Sequence, residues 1–186
     1  MRKSLLFFSL WPMLLFCQDD EIYLLVRADD MGFCHAANEA CMEVFEKGIC
    51  RSVEIMVPTP WFPEAVEMLK KHADYDVGIH LCLTSEWHNL KWRPLTNVPS
   101  LVDENGYFVS SFWGSQDRPE ASNFQKLDWE IEEVEQELRA QIELARRLLP
   151  HISHLSFHMG GDRFDPRIDS VFQLLAQEYD LDVNLE

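Results

Sequence analysis

The feature that most constrains this chain is a rhythm: short apolar runs alternate with helix-patterned segments along nearly its whole length. Residues 22–26, with Ile22, Leu24, Leu25 and Val26, read as a buried strand. A helix follows over about 35–47, with Ala36, Ala37, Ala40, Cys41, Val44 and Phe45 on one face, and Gly48 is suited to stop it. Residues 52–57 read as the second strand. Pro58 and Pro60 then break the chain, and Pro63 can open the next helix, whose far end carries Lys70, Lys71 and His72. Residues 77–84 make the third strand, 126–149 the clearest amphipathic helix, 152–157 the fourth strand, 166–179 another helix, and 181–185 the start of a fifth strand. Alternation of this kind implies parallel strands joined by right-handed crossovers. The fold class is therefore α/β. The chain stops as a strand begins, so the expected architecture is roughly half to two-thirds of a (β/α) barrel, or a complete small open sheet.

A chain of 186 residues can bury the core of one domain, and 47% apolar with 12% aromatic content fits a globular protein. The formal charge of -16, with pI near 4.7, argues against nucleic acid or an anionic membrane surface as partner, since both call for basic patches. It leaves room for a metal ion or a neutral sugar, and it is compatible with a homodimer. Arg2 and Lys3 precede an uncharged, Leu- and Phe-rich run that reaches Cys17. That run has the length of a signal-peptide core and is short for a membrane span. Residues 1–17 are thus expected to be a signal peptide or lipoprotein-type leader, with Cys17 the candidate lipid-anchored residue. The alternative is a buried first helix. On the first reading residues 18–186 form the domain, the mature chain has no transmembrane span, and the protein is exported, periplasmic or secreted.

The cysteines do not suggest a metal ribbon, because no two of them stand three apart. Cys34 and Cys41 lie about 10 Å apart along a helix axis, too far to bridge. The expectation is small buried residues. Residues 85 to about 124 break the rhythm and carry Trp87, Trp92, Phe108, Phe112 and Trp113. A loop this long is functional or mobile as a rule. Its aromatic rings can be a sugar-stacking platform or a satellite cluster that packs the loop. The acidic run 130–137 reads as the solvated face of the long helix.

Chemistry concentrates where strands end. Asp29 and Asp30 follow the first strand, His80 lies in the third, and His158 follows the fourth. In parallel sheets and barrels ligands bind at the C-terminal strand ends. Two adjacent carboxylates oppose each other's ionisation, and a cation relieves that cost. Alternatively, either Asp caps the next helix in a solvated turn. One carboxylate with two imidazoles makes a facial set for zinc or another divalent ion. The second Asp is then free to act as general base. His154, four residues before His158 on the same strand face, is a partner behind the ligands or an alternative ligand.

The ordered motifs resemble one family. Arg27-Ala28-Asp29-Asp30-Met31-Gly32 with His35-Ala36-Ala37-Asn38, then Val77 to Trp87 with Trp92-Arg93-Pro94-Leu95, then His154-Leu155-Ser156-Phe157-His158-Met159-Gly160, are similar to the YdjC/ChbG-like carbohydrate deacetylases. The resemblance implies a distorted, TIM-barrel-like (β/α) barrel that removes N-acetyl groups from amino sugars or oligosaccharides, using water activated by one divalent ion, magnesium or zinc. It implies Asp30, His80 and His158 as metal ligands and Asp29 as the base. Trp87, Arg93 and Arg27 are candidate substrate-binding residues. The family pattern has Asp-Ser where this chain has Ser156-Phe157, so a carboxylate behind the ligands is expected to be missing. The family also continues past residue 186, so this chain is expected to be a barrel truncated at its C-terminal side. Two other readings stand beside this one: a barrel metal hydrolase acting on a phosphate ester or another amide, and a degenerate exported carbohydrate-binding module.

Overall fold

The computed structural model describes residues 24–87, 89–114 and 123–183. The expected leader, Cys17 and His88 lie outside the described residues. Five strands form one sheet: β1 (Arg27–Met31), β2 (Ser52–Ile55), β3 (Asp76–Leu81), β4 (His154–Phe157) and β5 (Asp182–Val183). Every neighbouring pair is parallel, and the strands stand in chain order, β1-β2-β3-β4-β5. A doubly wound sheet reverses its order at a switch point. A sheet that steps always in one direction is an arc of a barrel. The fold is accordingly a partial, distorted (β/α) barrel.

Four helices connect the strands: α1 (His35–Lys47), α2 (Phe62–Leu69), α3 (Ile131–Leu148) and α4 (Pro166–Tyr179). α1 packs on β1 and β2, α3 on β3, and α4 on β5. Val53, Ile55, Val77, Ile79, Leu81, Leu155 and Phe157 are buried in a single core with Leu138, Ile142, Ile168 and Leu175 from the helices. The alternate strand positions are different in kind. Ser52 and Glu54, Gly78 and His80, and His154 and Ser156 are polar or minimal, yet buried apart from the glycine's missing side chain. The register sets them side by side: Glu54 opposite Gly78, Gly78 opposite His154, and His80 opposite Ser156. Residues two apart on a strand share a face, so the inner face of the arc is a layered polar surface.

The first strand differs from expectation. It is described over Arg27–Met31, with residues 24–26 of the expected run outside it, so the two aspartates lie within the strand and not after it. Two residues, Asp29 and Asp30, stand on β1 between its pairings Ala28↔Val53 and Met31↔Ile55, against Glu54 alone on β2. That is a bulge, and bulges re-aim side chains. The helix-capping alternative fails as well, because Cys34 caps α1 by accepting from the Ala37 N–H at 3.4 Å. Helix α3 begins at Ile131, later than 126, because Phe124–Lys126 form a separate 3-10 turn.

The long loop is largely packed. Trp92, Phe108 and Phe112 are buried in the main core, whereas Trp87 and Trp113 are exposed. Two acids of the supposed solvated run hold this loop. Glu137 is fully buried and accepts from the N–H groups of Leu95 and Thr96, the Thr96 hydroxyl and the Gln141 amide. Glu133 accepts from the Ser100 N–H and hydroxyl. The solvated reading of 130–137 is corrected at these two positions. Among the described residues no helix is long and apolar enough to cross a membrane, and Cys41, Cys50 and Cys82 are buried free thiols.

Candidate metal centre

The turn after β1 is built from the first motif. Gly32 has φ 103, and a Cβ there would lie 2.7 Å from the Thr59 hydroxyl, so only glycine fits. Its N–H donates to the Asn38 side-chain oxygen at 2.6 Å. Buried Asn38 also donates to the Trp61 carbonyl and to Glu64. The chain is thereby fixed just beyond Asp30, which itself takes the left-handed φ of 64. Asp tolerates that region better than most residues. Bulge and left-handed turn together direct the Asp30 carboxylate toward the other two strand ends.

His80 comes from β3, and His158 opens the segment after β4. Met159 and Gly160 follow His158 with φ of 54 and 62, which turns the chain sharply away from the strand. The long loop backs this segment: Phe112 would collide with any Cβ on Gly161, and the Trp92 ring lies 6.2 Å from that of His158. Asp30 Oδ1 is 3.5 Å from His80 Nε2 and 3.3 Å from His158 Nδ1. One donor atom from each of the three residues lies within 4.8 Å of the others. Ligand atoms at zinc-like bond lengths in a tetrahedral set stand about 3.4 Å apart. Asp30 Oδ1 and His158 Nε2 are buried without a hydrogen-bond partner among the described residues. Such orphaned polar atoms are costly unless something satisfies them. Donor chemistry, spacing and orphaned atoms all fit a divalent cation.

Electrostatics agree with that assignment. Burial pushes the Asp30 carboxyl up, but the neighbouring His158, and then His80, outweigh it and hold the group below the usual carboxylate range. Burial first, then the neighbouring His158, pushes His80 down to about 4. His80 is therefore a neutral imidazole near pH 7, the form that binds metals. Glu86 Oε1 stands 3.5 Å from His158 Nε2. Burial raises its carboxyl, and Asp30 adds to the rise, while His158 opposes it.

Behind His80 lies a chain of buried polar groups. His80 Nδ1 and the Ser156 hydroxyl are 2.7 Å apart, and Ser156 donates to Glu54 Oε2 at 2.6 Å. The other Glu54 oxygen is 2.5 Å from His154 Nε2. His154 Nδ1 meets the Ser153 hydroxyl, which donates to Asp76. Burial opposes the Glu54 charge, yet His154 and Ser156 hold its pKa below the usual range. Burial likewise opposes protonation of His154, but Glu54 and then Asp76 raise its pKa. The pair is an ion pair inside the arc. Gly78 leaves room for it, since a Cβ there would lie 2.4 Å from both Glu54 Oε2 and His154 Nε2.

The expected residues therefore divide. Asp30, His80 and His158 converge. His154 is not in that group and reaches His80 only through Glu54 and Ser156. Asp29 is exposed and held by Arg27, with Nε to Oδ1 at 2.7 Å and Nη2 to Oδ2 at 3.2 Å. Arg27 Nε also lies 3.8 Å from Glu54. Arg93 covers the Tyr107 ring at 4.1 Å and donates to the Gly106 carbonyl. Trp87 is 61% exposed and meets Phe33 edge-on, and Phe33 in turn meets Trp92. Ring contacts thus lead from His158 to an open indole. Glu54 and Glu86 were not singled out from the sequence. The carboxylate expected to be missing from β4 comes from β2 instead, as Glu54.

Comparison with known proteins points to one family. Its sequence profile, described as YdjC-like protein, matches residues 23–186. A carbohydrate deacetylase of Thermoanaerobacter pseudethanolicus is 31% identical over 164 residues, covering 87% of this chain and 59% of the relative. One from Thermus thermophilus is 35% identical over 158 residues, covering 85% of this chain and 51% of the relative. An Enterococcus faecalis crystal structure, described as a proposed cellobiose-phosphate cleavage protein, superposes with a TM-score of 0.69 at 29% identity, covering 86% of this chain and 57% of that one. The chain thus spans between half and three-fifths of the length of these relatives.

Proposed function

The chain belongs to the YdjC-like family, and from that premise we propose that it carries the metal-holding part of a carbohydrate deacetylase acting on N-acetylated amino sugars. The observation that carries the proposal is the convergence of Asp30, His80 and His158 from three strands, with buried polar atoms left without a hydrogen-bond partner among the described residues. The relatives' description as carbohydrate deacetylases supports the substrate class. A divalent ion, zinc or magnesium, would supply Lewis-acid chemistry there when bound. Asp30, His80 and His158 would hold it. Asp29, oriented by Arg27 in a two-point ion pair, accepts the proton of the attacking water in this reading. Trp87, backed edge-on by Phe33, offers an open face on which a sugar ring stacks.

Acetate release from N-acetylated sugars by the metal-supplied protein tests this reading. Asp29→Asn should keep the metal and lose turnover by roughly 10²- to 10⁴-fold, the usual worth of a general base. Full turnover in Asp29→Asn would remove Asp29 from that role. Absence of acetate release from every N-acetyl sugar tried would overturn the substrate class. A second reading, hydrolysis of a phosphorylated sugar, is favoured by the description of the Enterococcus protein alone. The net charge of -16 weighs against an anionic substrate.

A further inference from the structure

We infer that Glu54, acting through the Ser156 hydroxyl, is a positioning residue that fixes the tautomer of His80 and so presents a bare Nε2 to the metal position. The inference rests on the metal-binding reading above for its purpose, but its geometry stands apart from any ion.

Hydrogen-bond polarity along the chain allows one direction. An ionised carboxylate only accepts. Glu54 is kept ionised by His154 on its other oxygen, with Arg27 Nε 3.8 Å away. The Ser156 hydroxyl, 2.6 Å from Glu54 Oε2, must therefore donate its single proton to Glu54. Ser156 Oγ then has only lone pairs left for His80 Nδ1, 2.7 Å away. His80 must carry its proton on Nδ1 and donate it to Ser156. Nε2, which faces Asp30 Oδ1 at 3.5 Å, is left with its lone pair free. A neutral imidazole has only these two tautomers, and metals bind the unprotonated nitrogen.

Partners behind a metal-binding histidine orient the ring and raise its basicity, and their loss typically costs 10- to 100-fold in metal affinity. Here the carboxylate stands one hydroxyl away from the imidazole. The arrangement needs three positions on three adjacent strands: Glu54, the bare Gly78, and Ser156. Glu54 touches no ligand position itself, so it is a positioning residue and not a catalytic one.

The test uses ¹⁵N-imidazole spectra of the full chain, metal-free and near neutral pH, together with zinc titration. In the wild type His80 should be protonated on Nδ1 and bare on Nε2. Ser156→Ala and Glu54→Gln should lose that single-tautomer signature and bind zinc roughly 10- to 100-fold more weakly. Backbone amide spectra show whether each variant keeps the native fold. Ser156→Asp in the Glu54→Gln background places a carboxylate directly against His80 Nδ1, and it should restore both signature and affinity. A wild-type His80 protonated on Nε2 would overturn the inference, whether or not zinc binds. So would folded Ser156→Ala and Glu54→Gln proteins that keep the wild-type tautomer and affinity. The correct tautomer in a wild type that binds no zinc would instead sink the metal-binding reading while leaving the relay in place.

Discussion

Two acidic residues, Asp30 and Glu54, owe their positions to features that look minor in isolation. Asp30 is turned inward by a one-residue bulge and a left-handed φ. Glu54 is accommodated because Gly78, directly opposite, has no side chain. Gly78→Ala should therefore destabilise the protein by roughly 2–4 kcal/mol, combining overpacking with disruption of a buried ion pair. Denaturant unfolding measures this, and a change under about 0.5 kcal/mol, the usual span for a neutral surface substitution, would contradict it. The same pair gives a pH signature. The His154 pKa is raised in the fold, so its contribution is full below the ordinary value of 6.5 and fades as pH rises through the raised value. The Glu54 pKa is lowered, so its contribution is full above the ordinary value of 4.5 and fades as pH falls through the lowered value. The stability difference between wild type and Glu54→Gln should be largest between those two values and shrink on either side. A difference that stays flat from acid to alkaline pH would show that no ion pair forms.

Elements with strong end signals were legible in the sequence. Helix α1 over His35–Lys47 and helix α4 over Pro166–Tyr179 match the pattern-based spans, because Gly48 and Pro166 punctuate them. Strand β1 was not, because Arg27, Asp29 and Asp30 look like a turn, and the apolar residues just before them look like the strand. A bulge is a relation between two strands, and no local pattern encodes it. Glu54 could have been found: Ser52 and Glu54, Gly78 and His80, His154 and Ser156 all repeat at period two against apolar neighbours. The acids of helix α3 were misread for the converse reason. A helical pattern shows which face is polar, but not that a loop returns to cover it. Glu137 illustrates the consequence, with four donors converging on one buried carboxylate. Glu137→Ala should cost about 2–4 kcal/mol, since several buried donors lose a charged acceptor together. It should also expose the segment near Leu95 and Thr96 to limited proteolysis. Wild-type stability with an uncut loop would contradict that role.

At the scale of the molecule, the sheet separates two kinds of surface. The helix-facing side of the strands is apolar and joins one core. The inner side carries two layers of buried polar groups, and the layer nearer the C-terminal strand ends meets Asp30 and His158. Such an interior stabilises a fold poorly compared with a packed aliphatic one, because desolvated charges recover little more than their burial costs. On the inference drawn above, its place along three adjacent strands is to support His80. In the proposed reading this arc of barrel forms a metal site at Asp30, His80 and His158. The most direct measurement is the metal content of the purified chain beside His80→Ala and His158→Ala. About one equivalent of divalent ion in the wild type, lost in both variants, is the predicted result for a single three-residue site. A folded wild type that holds no divalent ion, even after supply and dialysis, would contradict the account.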